Sequence, residues 1–230
     1  MKEMKAAAVI VAGGMGKRME SKTPKQFMNL CNKPVMQWSL ECFDSMQEIT
    51  KIVLVLPANE IQRGKILLAT FKPSKPFLIT EGGATRQDSV MSGIAALDQD
   101  EDEFVLIHDA ARPGITRDVA TMTLRAAFET GAAICAIPSS DTLAQVSSGQ
   151  MTKRLNRTEI YRVQTPQVFK CSLIRQALKK AKEEGDAATD EASLIYGMGN
   201  EVRIAPGSLE NIKLTSPIDF KILNLILSER

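Results

Sequence analysis

AAVIVAGGMGKRMESKTPKQ, residues 7–26, is the stretch around which the rest of the chain is arranged. It begins with the apolar, β-branched run VIV at 9–11, which is typical of a buried strand. Gly13, Gly14 and Gly16 follow at once, so that the backbone can turn tightly and approach a ligand without Cβ atoms in the way. Successive N–H groups in such a turn form an anion-binding concavity. The stretch therefore predicts a strand that leads into a turn able to bind an anion.

Four cationic residues follow the turn within a short span: Lys17, Arg18, Lys22 and Lys25. A strand, a glycine turn and a group of cations favour a site that holds a polyphosphate. The alternative is a glycine-rich turn between a strand and a helix, with a basic edge that faces only solvent. The loop by itself leaves both interpretations open.

Two well-known phosphate-binding loops do not match this stretch. A P-loop needs Ser or Thr after Gly-Lys, and here Arg18 follows Gly16 and Lys17. The dinucleotide fingerprint needs a third glycine where this chain has Met19. With PKQF at 24–27 included, the loop resembles the signature of nucleotidyltransferases that transfer a nucleoside monophosphate from a triphosphate.

Composition limits the class of protein. The chain has 230 residues, 44% of them hydrophobic, which suits one large α/β domain over 1–230. The formal net charge is only +2, so a general affinity for nucleic acid is not expected and any cationic site must be local. No apolar run approaches the length of a membrane span. We therefore expect neither nucleic acid nor a membrane as a partner.

The cysteines indicate a reducing compartment. Cys31, Cys42, Cys135 and Cys171 form no CxxC pair and no zinc-binding spacing. They are typical of reduced structural residues in a cytosolic protein. The glycine pair that follows VIV also shortens the first apolar run, so we expect no signal peptide and a cytoplasmic location.

Apolar strands and amphipathic helices alternate along most of the chain. Strands that are apolar throughout, rather than on one side, argue for a parallel sheet covered by helices on both faces. The predicted strands are 9–11, 52–56, 77–80, 104–108, 132–137 and 202–205, and the predicted helices are 33–46, 59–71, 86–97, 117–130, 171–184, 190–197 and 217–228.

The segment 139–164 breaks this alternation. It is polar, and its sequence predicts a hairpin with strands at 142–146 and 151–155 and a turn at 147–149. A hairpin needs a hydrophobic face or a partner to be stable, and this one has few apolar residues. It is therefore either a mobile surface loop or an arm that packs against another subunit.

A second glycine turn follows the predicted strand at 77–80. Gly82 and Gly83 would let the backbone approach a flat base, and Ser89 could contact a base edge or a ribose. A glycine turn followed by a helix cap explains this piece of sequence equally well.

The motif HDAARP, residues 108–113, follows the most apolar predicted strand. Asp109 at the carboxyl end of that strand could hold Mg²⁺ through one carboxylate, while phosphates and water complete the coordination. His108 is the only histidine, and we interpret it as a hydrogen-bonded structural residue. Phosphoryl-type transfer depends mostly on positioning and electrostatics and needs no histidine.

Nine short motifs in chain order carry a family resemblance. They are AGGMGKRM, PKQF, EGG with RQDSV, HDAARP, Asp141-Thr142, Arg157, QTPQ, TDEAS and NIKLT. This series resembles the 2-C-methyl-D-erythritol 4-phosphate cytidylyltransferases of non-mevalonate isoprenoid biosynthesis. The resemblance covers nearly the whole chain. It implies a Rossmann-like, mostly parallel sheet of the nucleotidyltransferase type, CTP, methylerythritol phosphate and Mg²⁺ as ligands, and a homodimer joined by a protruding β-arm at 139–164.

The resemblance also assigns roles to individual residues. The implied catalytic residues are Arg18, Lys25, Arg157 and Lys213. The implied nucleotide-binding residues are Ala12, Gly13, Gly14, Gly16, Gly83, Arg86, Ser89 and Ala110. The implied substrate-binding residues are Asp109, Arg112, Thr142, Arg157, Thr165, Thr189 and Lys213, and Asp109 is also the implied metal ligand. For Lys213 considered alone, a solvated surface charge is a reasonable alternative.

Two positions depart from the family pattern. Gly13 stands where the family usually has alanine, and Ala84 stands where an acidic residue is frequent. Both could alter contacts with the base or ribose, and neither removes a charged catalytic group.

Two rival functions are a ribitol 5-phosphate cytidylyltransferase, which shares the nucleotide half, and a catalytically inactive nucleotide-binding scaffold on the same fold.

Overall fold

A seven-stranded sheet forms the centre of the computed structural model, which describes residues 4–13, 23–98, 103–188 and 190–230. The strand order is β11-β7-β10-β6-β1-β4-β5, and β2–β3 and β8–β9 form two separate hairpins. The strands are β1 (Ala6–Val11), β2 (Asn29–Leu30), β3 (Lys33–Pro34), β4 (Ile49–Leu56), β5 (Phe77–Glu81), β6 (Phe104–Asp109), β7 (Ala132–Pro138), β8 (Ala144–Ser147), β9 (Gln150–Arg154), β10 (Tyr161–Lys170) and β11 (Arg203–Pro206).

Helices cover both faces of this sheet. The helices are α1 (Val35–Asp44), α2 (Ile61–Phe71), α3 (Arg86–Ala95), α4 (Arg117–Thr130), α5 (Cys171–Glu184), α6 (Glu191–Gly197) and α7 (Pro217–Ser228). Apolar side chains of α1, α2 and α4 pack on one face, and those of α3, α5 and α6 pack on the other. The predicted α/β class with helices on both faces is confirmed.

The sheet is parallel except for one strand. β1 pairs in parallel with β4 and β6, β4 with β5, and β7 with β11. β10 lies between β6 and β7 and runs antiparallel to both. All six residues of β1 are buried, because the strand lies inside the sheet and is covered on both faces. The mostly parallel, Rossmann-like arrangement predicted from the sequence is therefore present.

β10 is the one strand of the central sheet that was not predicted from the sequence, and the short β2 and β3 were not predicted either, since 33–34 was expected to begin a helix. Its middle contains Gln164, Thr165, Pro166 and Gln167, and a proline normally argues against a central strand because it cannot donate a ladder hydrogen bond. The pairing of β10 with β7 shifts register between Val163 and Gln167, and the Thr165–Pro166 peptide bond is cis. The irregularity accommodates the proline, and the polar side chains at this point are buried.

The predicted hairpin is present as β8 and β9, and every residue of both strands is exposed. Its turn consists of Ser148 and Gly149, which have φ values of 49° and 78°. Positive φ at both central residues gives a turn whose twist matches that of the flanking strands. The hairpin forms as predicted, with its strands shifted by one or two residues.

α7 completes a third, smaller core. Leu223 and Leu227 of α7 pack with Leu30, Val35 and Leu214. Ser216 and the third helical residue, Asp219, form a capping box at the start of α7, and Pro217 occupies the first turn. The helix thus begins at a defined point and holds the segment between β11 and α7, which carries Lys213, against the body of the protein.

Among the described residues, no helix is long and apolar enough to span a membrane.

Candidate active site

The candidate site lies at the carboxyl ends of the parallel strands. Val11 at the end of β1 is in register with Val55 of β4 and with Asp109 of β6. The N–H of Ala110 donates to the Val11 carbonyl at 3.0 Å, and the N–H of Ala12 donates to the Val55 carbonyl at 2.9 Å. The glycine loop and the HDAARP motif therefore leave the sheet side by side, at the edge where open α/β sheets bind their ligands.

Asp109 is the centre of a cluster of charges. Its carboxylate is 6% exposed. Nε of Arg86, from α3, donates to Oδ1 at 2.9 Å, and Nζ of Lys213 lies 2.6 Å from Oδ2. The two cations come from distant parts of the chain, and each engages one oxygen of the same carboxylate. The structure therefore joins three predicted site residues.

The cations determine the protonation state of Asp109. Burial by itself raises the pKa of the carboxyl group, but the charges of Arg86 and Lys213 outweigh it and hold the pKa well below its usual range. Asp109 is consequently a carboxylate at neutral pH.

Arg86 has a second acidic partner, Glu191, which the sequence analysis did not assign to the site. Nη1 of Arg86 lies 2.6 Å from Oε1 of Glu191, whose side chain is 2% exposed. Burial lowers the pKa of Arg86, but the charges of Asp109 and Glu191 more than reverse this and raise it. The sequence signal for Glu191 is its place in TDEAS next to the cap of α6, which does not reveal its partner.

Thr165 and His108 lie in the protein interior, next to the backbone of Asp109. Oγ1 of Thr165 accepts the Asp109 N–H at 3.1 Å and lies 3.1 Å from Nδ1 of His108. Nε2 of His108 is 3.2 Å from Oγ of Ser39. Burial lowers the pKa of His108 to about 3, so the ring is neutral at physiological pH. The geometry agrees with our interpretation of His108 as a structural residue.

Asn211 connects the segment that carries Lys213 to β10. Its side-chain amide donates to the carbonyl of Thr165 at 2.8 Å, and its own carbonyl accepts from Nη1 of Arg112 at 2.8 Å. The N–H of Leu214 donates to the carbonyl of Ala111 at 2.7 Å. Asn211 is fully buried and was not predicted as a functional residue. These bonds fix the backbone on both sides of Lys213.

Lys25 reaches the same segment. Its Nζ donates to the carbonyl of Leu214 at 3.1 Å. The lysine of PKQF and the lysine of NIKLT, Lys213, are therefore neighbours in space although they lie near opposite ends of the chain. The structure thus brings Lys25 to the backbone segment that carries Lys213.

Ser89 packs directly against the glycines of both loops. Its Oγ would lie 2.7 Å from a Cβ added to Gly82 and 3.3 Å from one added to Gly13, and a Cβ on Gly83 would collide with Asp88. A Cβ at Gly83 would therefore not fit unless Asp88 moved, whereas a Cβ at Gly82 or Gly13 would require only a shift of the Ser89 hydroxyl. The side chain of Thr85 and that of Asp88 form a capping box at the start of α3. The helix cap considered in the sequence analysis is present beside the predicted base contacts.

Thr142 and Arg157 lie apart from the Asp109 cluster. They line a cavity of about 580 Å³ together with Arg154, Leu155, Asn156 and Thr158. Nη1 of Arg157 donates weakly to the carbonyl of Ser140 at 3.4 Å. Within one chain, the predicted substrate residues thus fall into two groups, one at the sheet edge and one next to the hairpin.

Four predicted site residues fall outside the described residues. They are Gly14, Gly16, Arg18 and Thr189.

The described residues offer a magnesium ion one carboxylate, that of Asp109, and would leave the other ligands to substrate phosphates and water. Among the described residues, no cluster of three or more His, Cys, Asp or Glu side chains could hold a metal. Asp109 is an ionised oxygen donor, and each of its oxygens keeps a lone pair beyond its contact with Arg86 or Lys213. Mg²⁺ is commonly bound by one or two carboxylates plus substrate phosphates and water. Asp109 therefore fits as the protein ligand of a magnesium ion that arrives bound to a nucleoside triphosphate.

Comparison with known proteins identifies the family. The family model for 2-C-methyl-D-erythritol 4-phosphate cytidylyltransferase matches residues 6–229. The enzyme of that name from Halalkalibacterium halodurans is 39% identical over 227 residues, which cover 99% of each chain. The relative of the same name from Geobacillus kaustophilus is also 39% identical over 227 residues, and again 99% of each chain is covered.

Solved structures agree with this match. The 4-diphosphocytidyl-2C-methyl-D-erythritol synthase of Anaerococcus prevotii superposes with a TM-score of 0.88 at 27% identity, over 99% of this chain and 100% of that one. The 2-C-methyl-D-erythritol 4-phosphate cytidylyltransferase of Thermus thermophilus gives a TM-score of 0.78 at 28% identity, with coverage of 99% and 100%. The chain belongs to the 2-C-methyl-D-erythritol 4-phosphate cytidylyltransferase family.

Proposed function

We propose that this protein transfers CMP from CTP to 2-C-methyl-D-erythritol 4-phosphate, giving 4-diphosphocytidyl-2-C-methyl-D-erythritol and pyrophosphate in non-mevalonate isoprenoid biosynthesis. Family membership over nearly the whole chain supports this activity. The structural observation that carries it is the ionised Asp109 carboxylate held between Arg86 and Lys213 at the carboxyl end of β6. That position is where a parallel sheet binds a nucleotide.

The reaction needs charge stabilisation more than proton transfer. A phosphate oxygen of the acceptor attacks the α-phosphorus of CTP and forms a new P–O bond. The bond between the α-phosphorus and the bridging oxygen breaks, and its electron pair leaves with pyrophosphate. Because the nucleophile is already an anion, no strong general base is required. A neutral, buried His108 is compatible with this chemistry.

Cations supply the stabilisation. Two anions must approach each other, and negative charge accumulates on the oxygens of the α-phosphate in the transition state. Lys25 donates to the carbonyl of Leu214, next to Lys213, whose amine contacts Asp109, and Arg18 follows β1 in the sequence. Donors preorganised in this way typically contribute about 3–4 kcal/mol each to transition-state stabilisation.

A bound Mg²⁺ would supply further positive charge to the triphosphate, and Asp109 is the residue that would hold it. The remaining protein groups bind and orient. The backbone around Ala12, Gly13 and Gly83, with the Ser89 side chain, is suited by its close packing to receive the base and ribose of CTP.

We also propose that the protein is a homodimer joined by the segment 139–164. Val146 and Met151 of the hairpin are 59% and 62% exposed, and Tyr161 and Val163 at the start of β10 are 47% and 41% exposed. Exposed apolar residues grouped in this way are typical of an interaction surface. In such a dimer, Thr142 and Arg157 of one subunit would complete the acceptor site of the other. A cytoplasmic location without nucleic acid or membrane partners is part of the same proposal.

Pyrophosphate release tests the activity directly. The purified protein is incubated with Mg²⁺, the acceptor phosphate and each of CTP, UTP, ATP and GTP, and the organic product is followed by ³¹P NMR. We expect release only when CTP and the acceptor are both present, together with the paired resonances of a diphosphate diester. Binding of CTP without turnover on any acceptor would instead support the scaffold alternative.

A further inference from the structure

Glu191 is a buried acid whose presence the reaction described above does not explain. It is the first residue of α6, and its side chain is 2% exposed. Burial raises its pKa, and the charge of Arg86 opposes that rise, so this acid is held here against a cost of desolvation. Oε2 has no hydrogen-bond partner among the described residues, so the contact with Arg86 is made through Oε1 alone.

A chain of alternating charges begins at Glu191. Oε1 of Glu191 lies 2.6 Å from Nη1 of Arg86, Nε of Arg86 lies 2.9 Å from Oδ1 of Asp109, and Oδ2 of Asp109 lies 2.6 Å from Nζ of Lys213. One guanidinium therefore bridges two carboxylates through two different nitrogen atoms. Because the guanidinium is planar and rigid, two contacts fix its orientation better than one.

The backbone that carries Glu191 is itself anchored. The N–H of Ala192 donates at 3.2 Å to Oε1 of Gln167, a buried residue of β10. Leu194 and Ile195 of α6 pack into the core with α3 and α5. Glu191 is thus tied to the same strand that supplies Thr165, whose hydroxyl accepts the Asp109 N–H. It can serve as a fixed point for Arg86.

Stability alone does not account for this arrangement. Replacing a buried ion pair by apolar residues of similar volume is often neutral or stabilising, because desolvation of the charges offsets their attraction. The Glu191–Arg86 pair contacts the site carboxylate Asp109 through Arg86. Its presence is better explained by the orientation it gives to the Arg86 guanidinium.

We propose that Glu191 is a positioning residue, which fixes the guanidinium of Arg86 and thereby aligns Asp109 and Lys213 for nucleotidyl transfer. The kinetic part of this inference rests on the proposed function. Glu191 itself touches no substrate in this role and acts only through Arg86.

Glu191→Gln tests the proposal, because it keeps the volume and one acceptor oxygen but removes the charge. We expect kcat to fall about tenfold, the size of a typical coupling between contacting groups, while the KM for CTP changes by less than about twofold. Glu191→Asp, which keeps the charge, is expected to retain more of kcat than Glu191→Gln. Glu184→Gln, at a solvent-exposed acid of α5, is the matched control and should leave both constants unchanged.

A double-mutant cycle separates positioning from general destabilisation. In an Arg86→Gln background, Glu191→Gln should cause no further loss of kcat, since its effect passes through Arg86. Undiminished kcat in Glu191→Gln, an equal further loss in the Arg86→Gln background, or a loss confined to the KM for CTP would each overturn the proposal. If Glu191→Gln does not fold, Glu191→Met, which also removes the charge at similar volume, takes its place, and an undiminished kcat in that variant would overturn the proposal as well.

A crystal structure of Glu191→Gln gives a readout independent of turnover. We expect the 2.9 Å contact between Nε of Arg86 and Oδ1 of Asp109 to be lost. Retention of that contact would contradict the positioning role whether or not the protein transfers CMP. Absence of turnover in the unsubstituted protein would count against the proposed function alone.

Discussion

Nζ of Lys213 lies 2.6 Å from Oδ2 of Asp109, which joins the segment before α7 to the carboxyl end of β6. The backbone around Lys213 is held in place by hydrogen bonds of Asn211 and Leu214. The long lysine side chain therefore starts from a fixed point and can reach the Asp109 carboxylate. A lysine that the sequence alone could place on the surface is therefore part of the charge cluster. The Lys213 side chain as a whole remains 40% exposed, so it is open to a ligand that enters the site.

Arg18 and Lys25 are expected to stabilise the negative charge that develops on the α-phosphate in the transition state. Arg18→Ala and Lys25→Ala should each lower kcat by at least about a hundredfold, because each removes a preorganised donor from the α-phosphate. Steady-state kinetics with CTP and the acceptor gives kcat, and circular dichroism shows whether each variant is folded. Lys179→Ala, at an exposed lysine of α5, is the control. Normal turnover in either variant would remove that residue from the catalytic group.

The arm is expected to complete the site of a partner subunit. Arg157→Ala and Lys25→Ala proteins should each be inactive or nearly so, whereas a mixture should recover part of the activity, since one site of each heterodimer contains both residues. Turnover is measured after subunit exchange, which is monitored by mass spectrometry of differently tagged chains. Exchange without recovered activity would exclude a shared site.

Acceptor choice separates the two cytidylyltransferase readings. The family match over nearly the whole chain favours methylerythritol phosphate over ribitol 5-phosphate as the acceptor. A polar site loses much binding when an expected hydroxyl is missing or displaced. We expect kcat/KM for methylerythritol phosphate to exceed that for ribitol 5-phosphate by at least about a hundredfold. Equal efficiencies would overturn the choice of acceptor and leave the transfer chemistry intact.

The cysteines are expected to differ in reactivity. Burial raises the pKa of the Cys135 thiol to about 12, so at about pH 8 it stays protonated as well as inaccessible. Cys31 is only half-buried. Iodoacetamide should therefore label Cys31 in the native protein and Cys135 only after unfolding, as measured by peptide mass spectrometry. Cys31→Ser should abolish the early labelling, and rapid native labelling of Cys135 would contradict the packing of β7.

Six of the seven strands of the central sheet, helices α1–α7 and the chemical motifs could be predicted from the sequence. Continuous apolar runs such as those of β1, β4 and β6 can be satisfied only inside a covered sheet, so the α/β class follows from them. The motifs at the ends of these runs located Asp109 and the glycine turns at one edge, because parallel strands end together. Glu191 and Asn211 could not be assigned in this way, since their sequence neighbours indicate only a helix cap and a loop.

The pairing of the polar residues could not be predicted from the sequence and is set by tertiary packing. β10 contains a proline and several polar side chains, which locally argue against a strand, yet its insertion between β6 and β7 gives those side chains buried partners. Arg86 meets Glu191 and Asp109, and Lys25 meets the segment of Lys213, across large separations in the chain. Periodicity reports which face of an element is apolar. The partner of a buried charge is determined only when packing of the whole core brings the elements together, because an unpaired charge there would be costly.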